Sequence, residues 1–390
     1  MHRTRFPGLA DGWARLDGAA GTQMVDDAIE AMAAWMRSGH NANHGGAFQA
    51  AQRTDALVAQ ARASVGRLLG ATAQGVVFGP SMTALTMRFS AAVGRTLKSG
   101  DEIVCTRLDH DANVAPWLIA AERAGAQVRF AEPDRDTLEL PAAAVEAVLS
   151  ERTRWVAVTA ASNAVGTIPD LPGIVAATRH AGARVFVDAV HATPHRPMDV
   201  AALGCDALAC SAYKWFGPHI GILWARPELL ADLGPDKLRP SPDTVPDRWE
   251  LGTLPFESLA GVRAAADFVL AVDREALRAH EDRLLAQMVE GLGSIAGVSL
   301  HGAARDRTAT VMFTVAGHSS HDVAAALARH EVAVWHGNYY ALELARWLGL
   351  EPDGALRAGV VAYNDPEDVD RLLEAVTELA GSSAGPRPIT

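Results

Sequence analysis

Between about residues 55 and 225 the chain alternates Ala-rich stretches of helical pattern with short apolar, β-branched runs at 75–78, 102–106, 127–130, 155–159, 184–187, 207–210 and 221–224. Strands that alternate with helical segments imply a mostly parallel sheet covered on both faces. Segments 140–150 and 171–181 fall between successive runs, where crossover helices would join parallel strands. The pattern therefore predicts an α/β fold: a large domain with a mostly parallel seven-stranded sheet, plus a smaller α/β domain towards the C-terminus.

The texture changes after Arg226. A Pro-rich stretch, 227–255, gives way to one long helical pattern over 257–292, read as the link to a smaller α/β lobe. There, strands are expected at 298–300, 308–315 and 332–335, and helices at 321–330, 339–348 and 366–379. The domain reading is 16–256 for the large domain and 257–380 for the small one, with 1–15 packing on the small domain. The polar, Pro/Gly-containing stretch 381–390 reads as a flexible tail.

Composition narrows the function classes. Of 390 residues 49% are apolar and 21% charged, which places the chain among folded proteins rather than disordered ones. A net charge of −11 argues against a nucleic-acid partner, which would require clustered Lys and Arg. No apolar run approaches the roughly 18 residues of a membrane span, and the N-terminus lacks a secretory apolar stretch. A cytoplasmic protein without membrane contact is expected. Cys105, Cys205 and Cys210 show no CxxC spacing, and the 14 His show no paired ligand pattern, so neither a disulfide framework nor a metal site is expected. The cysteines read as small buried hydrophobes.

In a parallel α/β sheet the ligand crevice lies outside the carboxyl ends of the strands. The polar residues following the apolar runs are Ser81 and Thr83, His110 and Asp111, Ser162 and Asn163, Asp188 and His191, then Ser211 and Lys214. Lys214 follows an apolar run, is bracketed by Tyr213 and Trp215, and precedes Gly217-Pro218. Such a setting desolvates the amine and favours its neutral, nucleophilic form, able to condense with a carbonyl. Asp188 emerges from another apolar run and requires a cationic partner there. A protonated pyridine nitrogen is such a partner, and the pairing makes pyridoxal phosphate (PLP) an electron sink.

Five strings in order extend the pattern: Ala112-Asn113-Val114-Ala115-Pro116-Trp117, Ser162-Asn163-Ala164-Val165-Gly166-Thr167, Val187-Asp188-Ala189-Val190-His191, Ser211-Ala212-Tyr213-Lys214-Trp215-Phe216-Gly217-Pro218 and Arg357-Ala358-Gly359-Val360-Val361-Ala362-Tyr363-Asn364. With them the sequence resembles the class V aminotransferase superfamily of fold-type I PLP enzymes, and within it the cysteine desulfurase and selenocysteine lyase branch. The resemblance spans about residues 16–379. It implies that Lys214 holds the cofactor aldehyde and then shuttles the substrate α-proton. It further implies that Asp188 pairs with the ring nitrogen, that His191 lies close to it and to the ring hydroxyl, and that Asn163 donates to that hydroxyl. Ser211, Tyr213 and the helix start Ser81-Met82-Thr83 would hold the phosphate, the last by free N–H groups. Thr253 would reach the phosphate of a second subunit, which implies a homodimer with shared sites. Arg357, aided by Asn163, would clamp the α-carboxylate of an amino-acid substrate, a planar bidentate task suited to guanidinium. Asp111, or His110 with a one-residue shift, takes the ring-stacking position, and His44 in Asn41–Gly46 occupies the place of a substrate-side loop.

Three departures follow from the same resemblance. The position of the desulfurase persulfide cysteine holds Tyr340, Trp335 replaces an Arg beside it, and the stacking His is displaced to His110 or replaced by Asp111. Trp335, Tyr339 and Tyr340 then form an aromatic wall that suits a substrate larger than free cysteine. The expected activity is a C–S lyase that splits a cysteine S-conjugate by β-elimination without a persulfide, with Tyr340 or His336 protonating the leaving sulfur. The alternatives are a class V aminotransferase, a decarboxylating or racemising PLP enzyme, and a desulfurase that uses another thiol.

Overall fold

The computed structural model describes residues 3–382. Its strands, in chain order, are β1 (Ala14–Arg15), β2 (Val76–Gly79), β3 (Glu102–Thr106), β4 (Gln127–Ala131), β5 (Thr153–Thr159), β6 (Arg184–Asp188), β7 (Ala207–Ser211), β8 (Gly221–Ala225), β9 (Val298–His301), β10 (Thr310–Val315), β11 (Val332–Ala333), β12 (Trp335–Gly337) and β13 (Ala355–Gly359).

Strands β2 to β8 form one seven-stranded sheet in the order β2-β8-β7-β6-β5-β3-β4. β8 runs antiparallel to both neighbours, β2 and β7, and the other pairings are parallel. Alternation along each strand explains why the runs are apolar throughout, since both faces are buried. Val156, Val158, Val185 and Val187 face a core shared with helices Gln49–Leu68, Leu171–His180 and Phe256–Ala271. Trp155, Ala157 and Phe186 face the opposite core, against helices Met82–Gly94 and Ala115–Ala124. Phe89 anchors that second core, with ring centroids 5.5 Å from Trp155 and 5.4 Å from Phe186.

The C-terminal half carries a four-stranded antiparallel sheet in the order β12-β13-β10-β9. Val311, Phe313 and Leu356 pack there with Leu284 and Met288 of helix Arg274–Ser294 and Leu372 of helix Pro366–Ser382. The N-terminal segment divides its contacts. Ala14 and Leu16 belong to this C-terminal core and β1 pairs with β11, whereas Phe6 packs against Phe216 and Phe268.

Four expectations are corrected and one strand was missed. The long helix over 257–292 is two helices, Phe256–Ala271 and Arg274–Ser294, because Asp273 caps the second by accepting from the N–H groups of Glu275 and Ala276. The strand at 332–335 is split between β11 and β12, which belong to different sheets. The helix expected from 339 begins at Leu342, since Tyr339 and Tyr340 take left-handed φ values of 47° and 62°. β13, which carries Arg357, was not anticipated, because Ala-Leu-Arg-Ala-Gly lacks the β-branched composition of the other runs. Residues 381–382 of the expected tail end the last helix, and 383–390 lie outside the described residues.

Candidate functional site

Because β5, β6 and β7 are parallel, their carboxyl ends meet at one sheet edge. Thr159 is in register with Asp188, and Asp188 with Ala209, two residues before Ser211. Immediately after β7 a single 3-10 turn, Ala212–Lys214, swings Lys214 back over that edge. Across from it, helix Met82–Gly94 begins at the cavity with Ser81 as its cap, whose Oγ accepts from the Ala84 N–H at 3.1 Å. Gly221 at the start of β8 permits this approach: a Cβ there would lie 2.3 Å from the Met82 nitrogen. The result is a cavity of about 480 Å³ lined by Ser81, Met82, Thr83, Asn163, Asp188, His191, Ser211, Tyr213 and Lys214, nine of the expected residues, together with His110.

Electrostatics inside this inner cavity are governed by burial. Lys214 is buried, and desolvation and then the charge of Arg357 bring its amine down to about 7, against the opposing pull of Asp188. Its Nζ donates to the Ala19 carbonyl, and among the described residues no carboxylate lies within ion-pair distance. Burial pushes the Asp188 carboxyl up to about 6, while the Val190 N–H donates to its Oδ1 at 2.9 Å and Lys214 favours the ionised form. His191 is held neutral, its imidazole driven well below the usual range chiefly by burial.

A second cavity of about 990 Å³ shares His110, Asn163, Tyr213 and Lys214 with the first and opens outward past Trp335, His336, Tyr340 and Pro352. Arg357 lies at its inner end and is buried. β12 places Trp335 directly across from Arg357, so the two side chains share a face of the small sheet. The guanidinium donates through Nη1 to the Asn163 carbonyl at 2.8 Å and lies 4.6 Å from the Tyr339 ring centroid. Among the described residues it pairs with no carboxylate, and desolvation lowers it to about 10. An unpaired buried cation of this kind could receive a carboxylate.

The aromatic segment is pinned across the site from three sides. Asn163 Nδ2 donates to the Tyr339 carbonyl at 3.0 Å, the Asp111 N–H to the Tyr340 carbonyl at 2.7 Å, and the His110 and Tyr340 rings stack at 5.3 Å. His110, not Asp111, lines both cavities, so of the two residues left open for the ring position it is His110 that stands at the cavity. The reason is local: His110 caps the turn Asp111–Asn113, its Nδ1 accepting from the Ala112 N–H at 3.0 Å, and this folds the ring inward. Burial first, then Lys214 and Arg357, lower His110 to about 3, so the stacked ring is neutral. Two further expected residues lie off both cavities. His44 is exposed beside Asp55 at 3.8 Å, and Thr253 lines a separate surface groove with Pro80 and Leu251. The turn 17–22 was missed. Besides the Ala19 carbonyl on Lys214, it supplies Ala20 to the outer cavity, and Thr22 donates from its N–H to the Tyr213 carbonyl at 2.9 Å. Its only sequence signal is the run of small residues Gly18-Ala19-Ala20-Gly21 after Leu16.

The model of the family described as aminotransferase class-V matches residues 14–372. The chain belongs to the class-V aminotransferase family. Among curated relatives of this class-V chain, the cysteine desulfurase of Salmonella agona is 31% identical over 382 residues, covering 94% of this chain and 93% of the relative. A cysteine desulfurase structure from Thermococcus onnurineus NA1 superposes with a TM-score of 0.91 at 27% identity, covering 97% of each chain. A C-DES mutant with glycine covalently linked to its PLP cofactor gives a TM-score of 0.82 at 21% identity over 97% of this chain and 99% of that one, a likeness of fold.

The inner cavity of this class-V protein fits PLP by its own chemistry. The helix start at Ser81–Thr83 leaves first-turn N–H groups without intrahelical partners, which suits a phosphate. Asn163 Oδ1 is buried with no hydrogen-bond partner, which leaves an acceptor for a ring hydroxyl. Lys214 offers a depressed amine to an aldehyde. Among the described residues no helix is long and apolar enough to cross a membrane, and no cluster of His, Cys, Asp or Glu could hold a metal ion.

Proposed function

We infer that the protein is a PLP-dependent C–S lyase that cleaves a cysteine S-conjugate by β-elimination, consuming water and releasing a thiol, pyruvate and ammonia. The observation that carries this reading is the wall facing Arg357, where Tyr340 stands, 70% exposed, and no thiol is near. Cys105, Cys205 and Cys210 are all buried and line neither cavity, and burial pushes Cys205 and Cys210 up to about 12. None is placed to attack a substrate sulfur, because the nucleophile is the thiolate.

When bound, PLP supplies an electron sink for a carbanion at the substrate α-carbon. The chain supplies the rest. Asp188 keeps a proton on the pyridine nitrogen, and Arg357 fixes the α-carboxylate so that the α-proton faces Lys214. The Lys214 amine removes that proton, and the departing sulfur takes one from the outer wall, where Tyr340 and His336 both stand. Trp335, Tyr339 and Tyr340 give an S-substituent an apolar bed and limit water at the breaking bond. The homodimer belongs to this reading. Thr253 and the 60% exposed Leu251 line a groove of about 1310 Å³ beside Pro80, next to Ser81, where a second copy would bring a hydroxyl to its partner's phosphate.

The deciding assay offers purified holoprotein free cysteine and, separately, a bulky cysteine S-conjugate. Pyruvate and thiol from the conjugate are the expected result. Alanine with sulfide or persulfide from cysteine would identify a desulfurase, and amine transfer to a keto acid would identify an aminotransferase. Tyr340→Ala is expected to lower kcat for conjugates with poor thiolate leaving groups by roughly tenfold to a hundredfold, and to affect good leaving groups less. Equal loss across a leaving-group series would remove Tyr340 as the acid.

The depressed amine gives a pH prediction. PLP capture by cofactor-free protein requires neutral Lys214, so its rate should rise about tenfold per unit below pH 7 and level off above. Growth of the yellow absorbance measures this. A rate still rising tenfold per unit above about pH 8 would mean that the amine titrates as in water.

A further inference from the structure

Thr308 and Thr310, fully buried, form a closed hydrogen-bond set with His191. His191 Nε2 lies 3.0 Å from Thr308 Oγ1 and 3.0 Å from Thr310 Oγ1, and the Thr308 hydroxyl donates to Thr310 Oγ1 across 3.4 Å. Neither hydroxyl is exposed to solvent, so each proton needs an acceptor within the protein. Were Nε2 protonated, it would donate into the pair, and one of the two hydroxyl protons would have no acceptor among the described residues. With Nε2 bare, Thr308 donates to Thr310, Thr310 donates to Nε2, and every proton is placed. The single proton of the ring then sits on Nδ1, which has no hydrogen-bond partner among the described residues, on a side chain that lines the inner cavity.

We propose that Thr308 and Thr310 are positioning residues that hold His191 as an Nδ1–H donor to an oxygen acceptor of the cavity's ligand. On the reading above, that acceptor is the ring oxygen of PLP.

Three contacts keep this geometry in place. The Thr308 N–H donates to the Gly166 carbonyl at 2.9 Å. Gly166 has φ +78°, and a Cβ there would lie 2.9 Å from Thr308 Oγ1, so glycine is required both for the turn and for the approach. The His195 ring packs on His191 at 5.1 Å and 60°, and its Nδ1 is tied to Glu281 Oε2 at 3.0 Å on helix Arg274–Ser294. Both the hydroxyl pair and Glu281 come from beyond residue 273, so the C-terminal part of the chain sets the protonated face of a residue that follows β6. Burial keeps the ring neutral, so a single tautomer carries the function.

Two measurements test the proposal. In cofactor-free protein labelled with ¹⁵N-histidine, with the His191 signals assigned by their loss in His191→Gln, Nε2 should resonate as an unprotonated nitrogen. A protonated Nε2 in the wild type would overturn the proposal. In titrations with PLP, Thr310→Val should weaken binding about fivefold to tenfold, the worth of one hydrogen bond. Thr310→Ser, which keeps the hydroxyl, should restore affinity, and in the His191→Gln background Thr310→Val should cost nothing more. Equal losses for Thr310→Val and Thr310→Ser, or the same loss without His191, would make the threonines merely structural and overturn the proposal. Failure of the wild type to take up PLP would instead remove the cofactor reading, while the tautomer measurement would still decide the proposal.

Discussion

Lys214→Ala is expected to abolish the yellow absorbance of the PLP-loaded protein and to reduce turnover of any amino-acid substrate by roughly four orders of magnitude, the upper end for a positioned proton carrier. The expectation rests on position as well as residue type. Lys214 is the one expected residue on both cavity linings whose side chain can condense with an aldehyde, and burial brings its amine to about 7. Lys214→Arg should fail equally, because a guanidinium keeps its proton. Stability should move the other way. The amine's folded pKa is lowered from its unfolded value of 10.5 to about 7, so the native state carries a desolvated charge at low pH. The stability this group contributes is therefore full above the unfolded pKa and is lost as pH falls towards 7. Lys214→Met, which keeps the stem's volume, should raise the melting temperature of cofactor-free protein most below about pH 7, with the gain shrinking towards pH 10. Persistence of the yellow band in Lys214→Ala would end the assignment of this residue.

The second large effect is expected at Arg357. A bidentate pair with a carboxylate contributes roughly 3–4 kcal/mol, so Arg357→Leu should lower kcat/KM by about two to three orders of magnitude. Because the carboxylate is held alike before and during reaction, most of the loss should fall on KM. Arg357→Lys should recover little, since a point charge cannot use the plane that Tyr339 supports at 4.6 Å. An amine substrate without the carboxylate discriminates: its turnover should be insensitive to the substitution, and an equal loss there would show that Arg357 is structural. Arg357→Leu should also move the pH midpoint of PLP capture upward, because the charge of Arg357 is the second cause of the lowered Lys214 amine.

Where sequence reading succeeded, the reason was local. The seven runs of the large sheet became seven strands because strands buried on both faces are apolar at every position, whatever their neighbours are. Strand-end chemistry was legible for the same reason, since parallel strands bring their carboxyl ends to one edge. Ser81, Asn163, Asp188, Ser211 and Lys214 could be collected without knowledge of strand order. Reading failed where one residue overrides a period. Asp273 stops a helix whose amphipathic pattern continues, and left-handed φ at Tyr339 and Tyr340 replaces an expected helical turn with a lid on Arg357.

The sequence alone thus determined the α/β class, the order of the large-sheet strands along the chain, and the residue types that could serve an aldehyde cofactor and a carboxylate. Tertiary structure decided which side chains enter the cavity. His110 rather than Asp111 faces inward because a capping contact turns its ring. His44 stands exposed outside both cavities, and Thr253 lies on a separate groove, as a residue serving a second subunit would. It also decided the electrostatics, since the depressed amine of Lys214 and the unpaired charge of Arg357 follow from desolvation by segments distant in sequence. Strand pattern depends on neighbours along the chain. Burial, tautomer and charge depend on what the fold brings from 100 or more residues away, as Thr308 and Thr310 are brought to His191.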